Sequence, residues 1–352
     1  MRVHVTDLQN GDRLTNDTFN GYGLHVLSKG TILHSNEISK LFQHQIDYVD
    51  IEGPTSEAES ESRTLESSVN PKWLPAVQPS YENAVKGFET LFNNATAAGA
   101  ISDEEVTRAF QPLVDNFQME RDVVSMLLLL NTADDYTYQH SVQVGMLAYY
   151  LASWLGYSKE ESIHIGKTGY LHDIGKSRIS EAILNKPDRL TDEEFEEVKK
   201  HTIYGHEIIE QSFGDPTLAL AALQHHERND GTGYPQGLTG ERIHPISKII
   251  SVVDIYSAMI SERVYQKKRD LLFVLKELHK LSFDQLDPFT THTFIKHMIP
   301  NFIGKRVELV SGEVGVIVMT HPTEFFRPLV KIDEQFIDLT LERQYEIKHV
   351  QL

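Results

Sequence analysis

His172-Asp173-Ile174-Gly175-Lys176 and His225-His226-Glu227-Arg228-Asn229-Asp230-Gly231-Thr232-Gly233-Tyr234-Pro235 are the two stretches that decide how this chain is read. The first His/Asp pair closes an apolar helical pattern just before a Gly-Lys turn. The second histidine pair closes another helical pattern and runs into a glycine-rich loop. Imidazole and carboxylate therefore gather where helices end, the places at which side chains from distant segments can converge.

Three further residues extend the pattern. His140 opens the face Val144, Leu147 and Leu151, so its ring points the way of that apolar stripe. His201 follows Val198 by one turn and precedes Gly205, on the inward side of its helix. Asp254 sits inside the apolar run Ile249 to Tyr256. Taken singly, each has a plainer explanation: a hydrogen-bonded core histidine, a helix-face residue, an acid paired with an arginine. Taken together, the plainer explanations need unrelated coincidences. Neutral imidazoles and carboxylates are ligands suited to Fe, Mn or Zn, and a carboxylate can bridge two ions. Each is costly to bury alone, whereas around cations they satisfy one another.

The ordered series His172-Asp173-Ile174-Gly175-Lys176, His225-His226-Glu227 and Asp230 to Pro235 resembles the HD-GYP family, a branch of the HD phosphohydrolases, over roughly 134–268. The resemblance implies an all-helical HD-type catalytic domain holding two divalent ions, Fe or Mn. The implied activity is a phosphodiesterase cutting cyclic di-GMP to pGpG, with a further cut to GMP, through a hydroxide shared by the two metals. Carried over residue by residue, His140, His172, Asp173 and Asp254 match the first metal's ligands, with Asp173 bridging. His201, His225 and His226 complete the second. Asp173 and Lys176 match catalytic positions, and Lys176 also a phosphate contact. Gly233, Tyr234 and Pro235 match the loop over the substrate, and Arg263 a basic substrate-binding residue.

Four departures qualify the match. Tyr136 stands where some members have a third-metal Glu, which is why two metals are expected. Thr202 replaces the proline after the ligand histidine, Ser257 replaces an Asp three residues after Asp254, and Val264 and Gln266 replace a proline and a basic residue after Arg263. None removes a ligand. Two other readings compete: a non-catalytic cyclic di-GMP receptor or adaptor, and a phosphohydrolase for another nucleotide.

Outside this series, residues 1–53 carry short Val/Ile/Leu segments between Asn10-Gly11, Asn20-Gly21 and Lys29-Gly30 turns, a small β-rich module. Residues 54–80 are Ser-, Glu- and Pro-rich and read as a flexible linker. Residues 81–303 read as helical, with a capping box at Thr191/Glu194 and an Asp215-Pro216 helix start. Val307 and Leu309, then Val314, Val316 and Val318, alternate as strands do around a Ser311-Gly312 turn, with Leu329 to Ile332 and Phe336 to Leu339 continuing the sheet, so residues 304–352 read as a small β module. The expected fold is mainly α with a small β module at each end. The last module either packs on the helices or pairs two copies in a homodimer.

Composition limits the alternatives. The net charge of -18 argues against a DNA or RNA polymer as partner, so an anionic substrate must be drawn by a local positive site. With no cysteine, disulfides, thiolate metal sites and a cysteine nucleophile are excluded. Neither a signal peptide at Met1 to Arg13 nor an apolar run near ~20 residues is present, so no membrane insertion and a cytoplasmic location are expected.

Overall fold

The computed structural model describes residues 2–52 except 6, 7, 9, 10, 20–24, 35, 36, 39, 42, 43, 45 and 47, then 74–117, 136–261 except 187, and 271–351 except 334. Two compact units divide the chain, Met1–Leu74 and Pro75–Leu352.

In the first unit, β1 (Arg2–His4) pairs antiparallel with β4 (Tyr48–Asp50), and β2 (Thr18–Phe19) with β3 (His25–Leu27). Bridges from Arg13 to Ile32 and from Leu14 to Ile51 tie the two ribbons together. Leu14, Leu33, Leu41, Val49 and Ile51 form a small core of their own. Gly11 and Gly30 adopt φ of 102° and 82°, so two of the expected turns need the left-handed region that glycine enters freely. The Asn20-Gly21 turn lies outside the described residues.

The second unit opens with α1 (Leu74–Ala98), which begins inside the segment expected to be linker. Val77, Tyr81, Ala84, Phe88, Leu91 and Ala95 recur at helical spacing and are buried, so one apolar stripe runs back to Val77. The linker expectation fails from Leu74 onward, and residues 53–73 lie outside the described set. Next come α2 (Asp103–Phe117), α3 (Tyr136–Trp154) and α4 (Lys159–Leu171). Tyr170 of α4 packs on Phe88 and Phe110, and its hydroxyl donates to the Ala84 carbonyl at 2.6 Å. That joint fixes the end of α4, from which the His/Asp pair projects.

A 3-10 turn (Ile174–Arg178), α5 (Glu181–Leu184), α6 (Asp192–Lys199), α7 (His201–Phe213), α8 (Pro216–Gln224) and α9 (Pro245–Ser261) follow. The Thr191/Glu194 capping box forms, and Asp215 caps α8 with Pro216 in its first turn. A Cβ on Gly175 would lie 2.0 Å from the His201 carbonyl oxygen and 2.3 Å from the Gly205 nitrogen. Only glycine lets the turn after Asp173 press on the backbone of α7.

The chain continues through α10 (Leu271–Leu281) and α11 (Pro288–Met298) into a five-stranded antiparallel sheet. Its strands are β5 (Arg306–Leu309), β6 (Val314–Met319), β7 (Leu329–Ile332), β8 (Gln335–Asp338) and β9 (Ile347–Gln351), in the order β8-β7-β6-β5-β9. Its last strand lies beside α10, where the Lys276 ammonium donates to the Ile347 carbonyl at 3.5 Å. The fold is thus mainly helical with a small β module at each end. No helix among the described residues is long and apolar enough to cross a membrane.

Candidate metal centre

Helix ends build the centre. His172 caps the C-terminus of α4, Asp173 begins the 3-10 turn, His201 begins α7, and His225 caps the C-terminus of α8. The last carbonyls of a helix lack intrahelical donors. Imidazoles supply them here: His172 Nδ1 bonds the Gly169 carbonyl at 2.7 Å, His201 Nδ1 that of Val198 at 2.6 Å, and His225 Nδ1 that of Ala222 at 2.8 Å. Each bond keeps a proton on Nδ1 and aims Nε2 inward, the orientation a metal ligand needs. His140 in the first turns of α3 and Asp254 in the middle of α9 close the ring from the other side.

The seven side chains fall into two groups whose ligand atoms lie within 4.8 Å of one another, Asp173 with His201, His225 and His226, and His140 with His172 and Asp254. Asp173 faces both. Its Oδ2 is 3.2 Å from His172 Nε2, and its Oδ1 is 3.3 Å from His201 Nε2 and 3.9 Å from His225 Nε2. Asp254 holds Oδ1 at 3.0 Å from His140 Nε2 and Oδ2 at 3.9 Å from His226 Nδ1.

The donor set fits divalent cations on local observations. Among the described residues His172 Nε2 and Asp173 Oδ1 are buried without a hydrogen-bond partner, a costly state unless a cation sits between such groups. Burial pushes the imidazoles of His201 and His225 down to about 4 and about 3, and His226 well below its usual range. All three are therefore neutral ligands at pH 7. Burial works against charge on His172 too, yet the Asp173 and Asp254 carboxylates hold it up at about 10. The paired acids recruit a proton where a metal would otherwise neutralise them. Both carboxylates are themselves held well below the usual range, Asp173 by His172 and Lys176 and Asp254 by His140 and His172, against the cost of burial.

Lys176 Nζ lies 2.5 Å from Asp173 Oδ2 and stays partly exposed, so its charge borders both the acid and the site opening. Tyr234 stacks on His226 with ring centroids 4.7 Å apart. The loop that carries it is anchored from below. Buried Glu227 accepts the backbone N–H groups of Gln236 at 2.7 Å and Leu238 at 2.8 Å. A Cβ on Gly233 would meet the Arg228 nitrogen at 2.4 Å and the His226 carbonyl at 2.5 Å. Pro235 follows through a cis peptide bond. This loop is fastened at Glu227 and packed at Gly233. Arg263, Val264 and Gln266 lie outside the described residues, as does the side chain of Tyr136.

The sequence reading assigns Glu227 no role, although its place directly after two inward histidines and before a glycine-rich loop is a signal for one. Gln143 also went unassigned. It sits one turn along α3 from His140, on the same face.

With this geometry in view, the HD domain family model matches residues 123–289. Residues 123–289 of this chain are an HD domain. The ordered His172-Asp173 and Gly233-Tyr234-Pro235 segments of this HD domain are the HD-GYP pattern. A cyclic di-GMP phosphodiesterase of Pseudomonas aeruginosa is 32% identical over 244 residues, 69% of this chain and 59% of that protein. The 3′3′-cGAMP-specific phosphodiesterase 1 of Vibrio cholerae is 35% identical over 165 residues, 46% of this chain and 38% of that protein. The chain thus spans less than two thirds of the length of these relatives. Among solved structures, an HDG"Y"P protein from Bdellovibrio bacteriovorus superposes with a TM-score of 0.52 at 19% identity, over 84% of this chain and 97% of that one, which shows a shared fold.

Proposed function

We propose that the chain is a metal-dependent phosphodiesterase that hydrolyses cyclic di-GMP to pGpG, and pGpG further to GMP, at a centre of two divalent cations. The observation that carries this reading is the placement of Asp173, one oxygen toward each ligand group and Lys176 on its rim. His140, His172, Asp173 and Asp254 would hold one ion; Asp173, His201, His225 and His226 would hold the other. Nitrogen and carboxylate donors without thiolate suit Fe or Mn. When bound, such ions would lower the pKa of a coordinated water and neutralise phosphate oxygens.

The chain's own groups do the rest. The Nδ1 bonds to helix-end carbonyls keep the ligand lone pairs aimed without reorganisation. Lys176 Nζ exchanges the Asp173 carboxylate for a non-bridging phosphate oxygen and stabilises the charge that grows there as the phosphodiester bond breaks. Tyr234 and Pro235 cover the bound dinucleotide, and Glu227 keeps that cover in register. Burial raises the Tyr234 phenol, so it serves as a neutral O–H. Arg263 is assigned to the substrate on resemblance alone.

Support for the cyclic dinucleotide comes from the relatives, one acting on cyclic di-GMP and another specific for 3′3′-cGAMP; the second favours 3′3′-cGAMP as the competing substrate. The test is turnover of both, side by side, by protein prepared anaerobically with Fe or Mn. Cyclic di-GMP consumption with pGpG appearing first supports the proposal. Turnover of 3′3′-cGAMP alone replaces the substrate, and tight binding without turnover replaces the enzyme by a receptor.

A further inference from the structure

His140 differs from three of the other histidines of the centre. His172, His201 and His225 give Nδ1 to backbone carbonyls, whereas His140 Nδ1 meets a side chain, the Ser257 hydroxyl, at 3.1 Å. Ser257 in turn donates to Gln143 Oε1 at 3.0 Å. All three side chains are buried. Gln143 is one turn along α3 from His140 and Ser257 one turn along α9 from Asp254, so the two helices that supply facing ligands also supply this pair. The buried Tyr81 hydroxyl of α1 faces the same Gln143 amide.

A hydroxyl next to an imidazole nitrogen is ambiguous. It accepts from an N–H or donates to a bare nitrogen. If Ser257 donated to Nδ1, the neutral ring would carry its proton on Nε2, against Asp254 Oδ1 at 3.0 Å, and could not bind a cation there. Gln143 removes that freedom by taking the serine proton. We propose that Ser257 and Gln143 act together as a positioning pair that fixes His140 in its ligand tautomer, with Gln143 acting through the Ser257 hydroxyl. A carboxylate at position 257 would accept only, and would need no such partner. Ser257 and Gln143 thus do as two residues what one acid could do alone. The inference rests on the metal-centre reading above.

The experiment measures Mn²⁺ affinity of the metal-free full chain by chelator competition, for wild type, Ser257→Ala, Gln143→Leu, Ser257→Asp and the double variant Ser257→Asp/Gln143→Leu. Outer-shell losses typically weaken metal binding about 10–100-fold. Ser257→Ala and Gln143→Leu should each lose affinity in that range, while Ser257→Asp stays near wild type and makes Gln143→Leu silent. In ¹⁵N-histidine-labelled, Zn²⁺-loaded wild type, His140 should carry its proton on Nδ1. Wild-type affinity in Gln143→Leu, or an equal loss on adding Gln143→Leu to Ser257→Asp, overturns the pair. Absence of Mn²⁺ binding by wild type overturns the centre itself, a separate result. Thermal unfolding of the metal-free variants identifies any loss that merely reflects misfolding, and the Ser257→Asp background then decides.

Discussion

The Nε2 atoms of His201 and His225 lie 3.3 Å apart although each ring already gives its Nδ1 proton to a backbone carbonyl. Two lone pairs therefore point at one another in a buried space, beside the Asp173 carboxylate. Two neutral imidazoles gain nothing from that approach; a cation between them turns repulsion into coordination. His225→Ala should cut the metal content from two ions per chain to one and reduce turnover by at least about 100-fold, more than an outer-shell change costs. Elemental analysis and single-turnover kinetics on anaerobically prepared protein check both.

The metal-free protein should lose stability as pH falls below 6.5. His201 and His225 have folded values of about 4 and about 3 against an ordinary 6.5, and His226 also lies low. The unfolded chain thus binds more protons across that window, and stability declines with acid. His172, raised to about 10, has the opposite sign. Its contribution is complete below 6.5 and is lost as pH rises toward 10. Thermal unfolding of metal-free protein from pH 4 to 10 should give a maximum near neutrality. A midpoint still rising from pH 6.5 to 4 contradicts the assignment of three neutral imidazoles.

Glu227→Ala should destabilise the fold by ~2–5 kcal/mol, because the N–H groups of Gln236 and Leu238 lose their acceptor at once. Glu227→Gln keeps one acceptor oxygen and should cost less. Denaturant unfolding measures the difference. A raised KM in Glu227→Gln with metal content unchanged would tie the loop to substrate.

Gly175→Ala should cost about 1–3 kcal/mol or more, since the new methyl must displace the backbone at His201 and Gly205. The displacement moves Asp173 against His201, so metal affinity should fall with stability. Equal stability of the variant would mean that the turn has room for the methyl.

How much of this was legible in sequence follows from range. His172-Asp173 and His225-His226 announce themselves because residue type and helix-end position coincide within a few residues. The Ser257–Gln143 bond joins positions 114 apart, and only the packing of α9 against α3 brings them together. The start of α1 was hidden by Pro75 and Pro79, which suggest a linker. Pro75 stands in the first turn, where proline is tolerated, Pro79 is carried inside the helix, and the stripe from Val77 through Tyr81 to Ala95 is the better guide. In the C-terminal module the alternation of Val314, Val316 and Val318 reads correctly as a strand. Which face is buried does not, for Ile317 turns inward and those valines are exposed. The strand Ile347–Gln351 has polar residues between its Ile and Val and was missed.

The most direct test is a titration of metal-free protein with Mn²⁺ under anaerobic conditions, followed by turnover at each step, in wild type and Asp173→Ala. Two equivalents bound per chain in wild type, with hydrolysis of cyclic di-GMP appearing only as the second fills, and neither binding nor hydrolysis in Asp173→Ala, is the predicted result. Undiminished hydrolysis in Asp173→Ala, or in wild type stripped of metal, would contradict it.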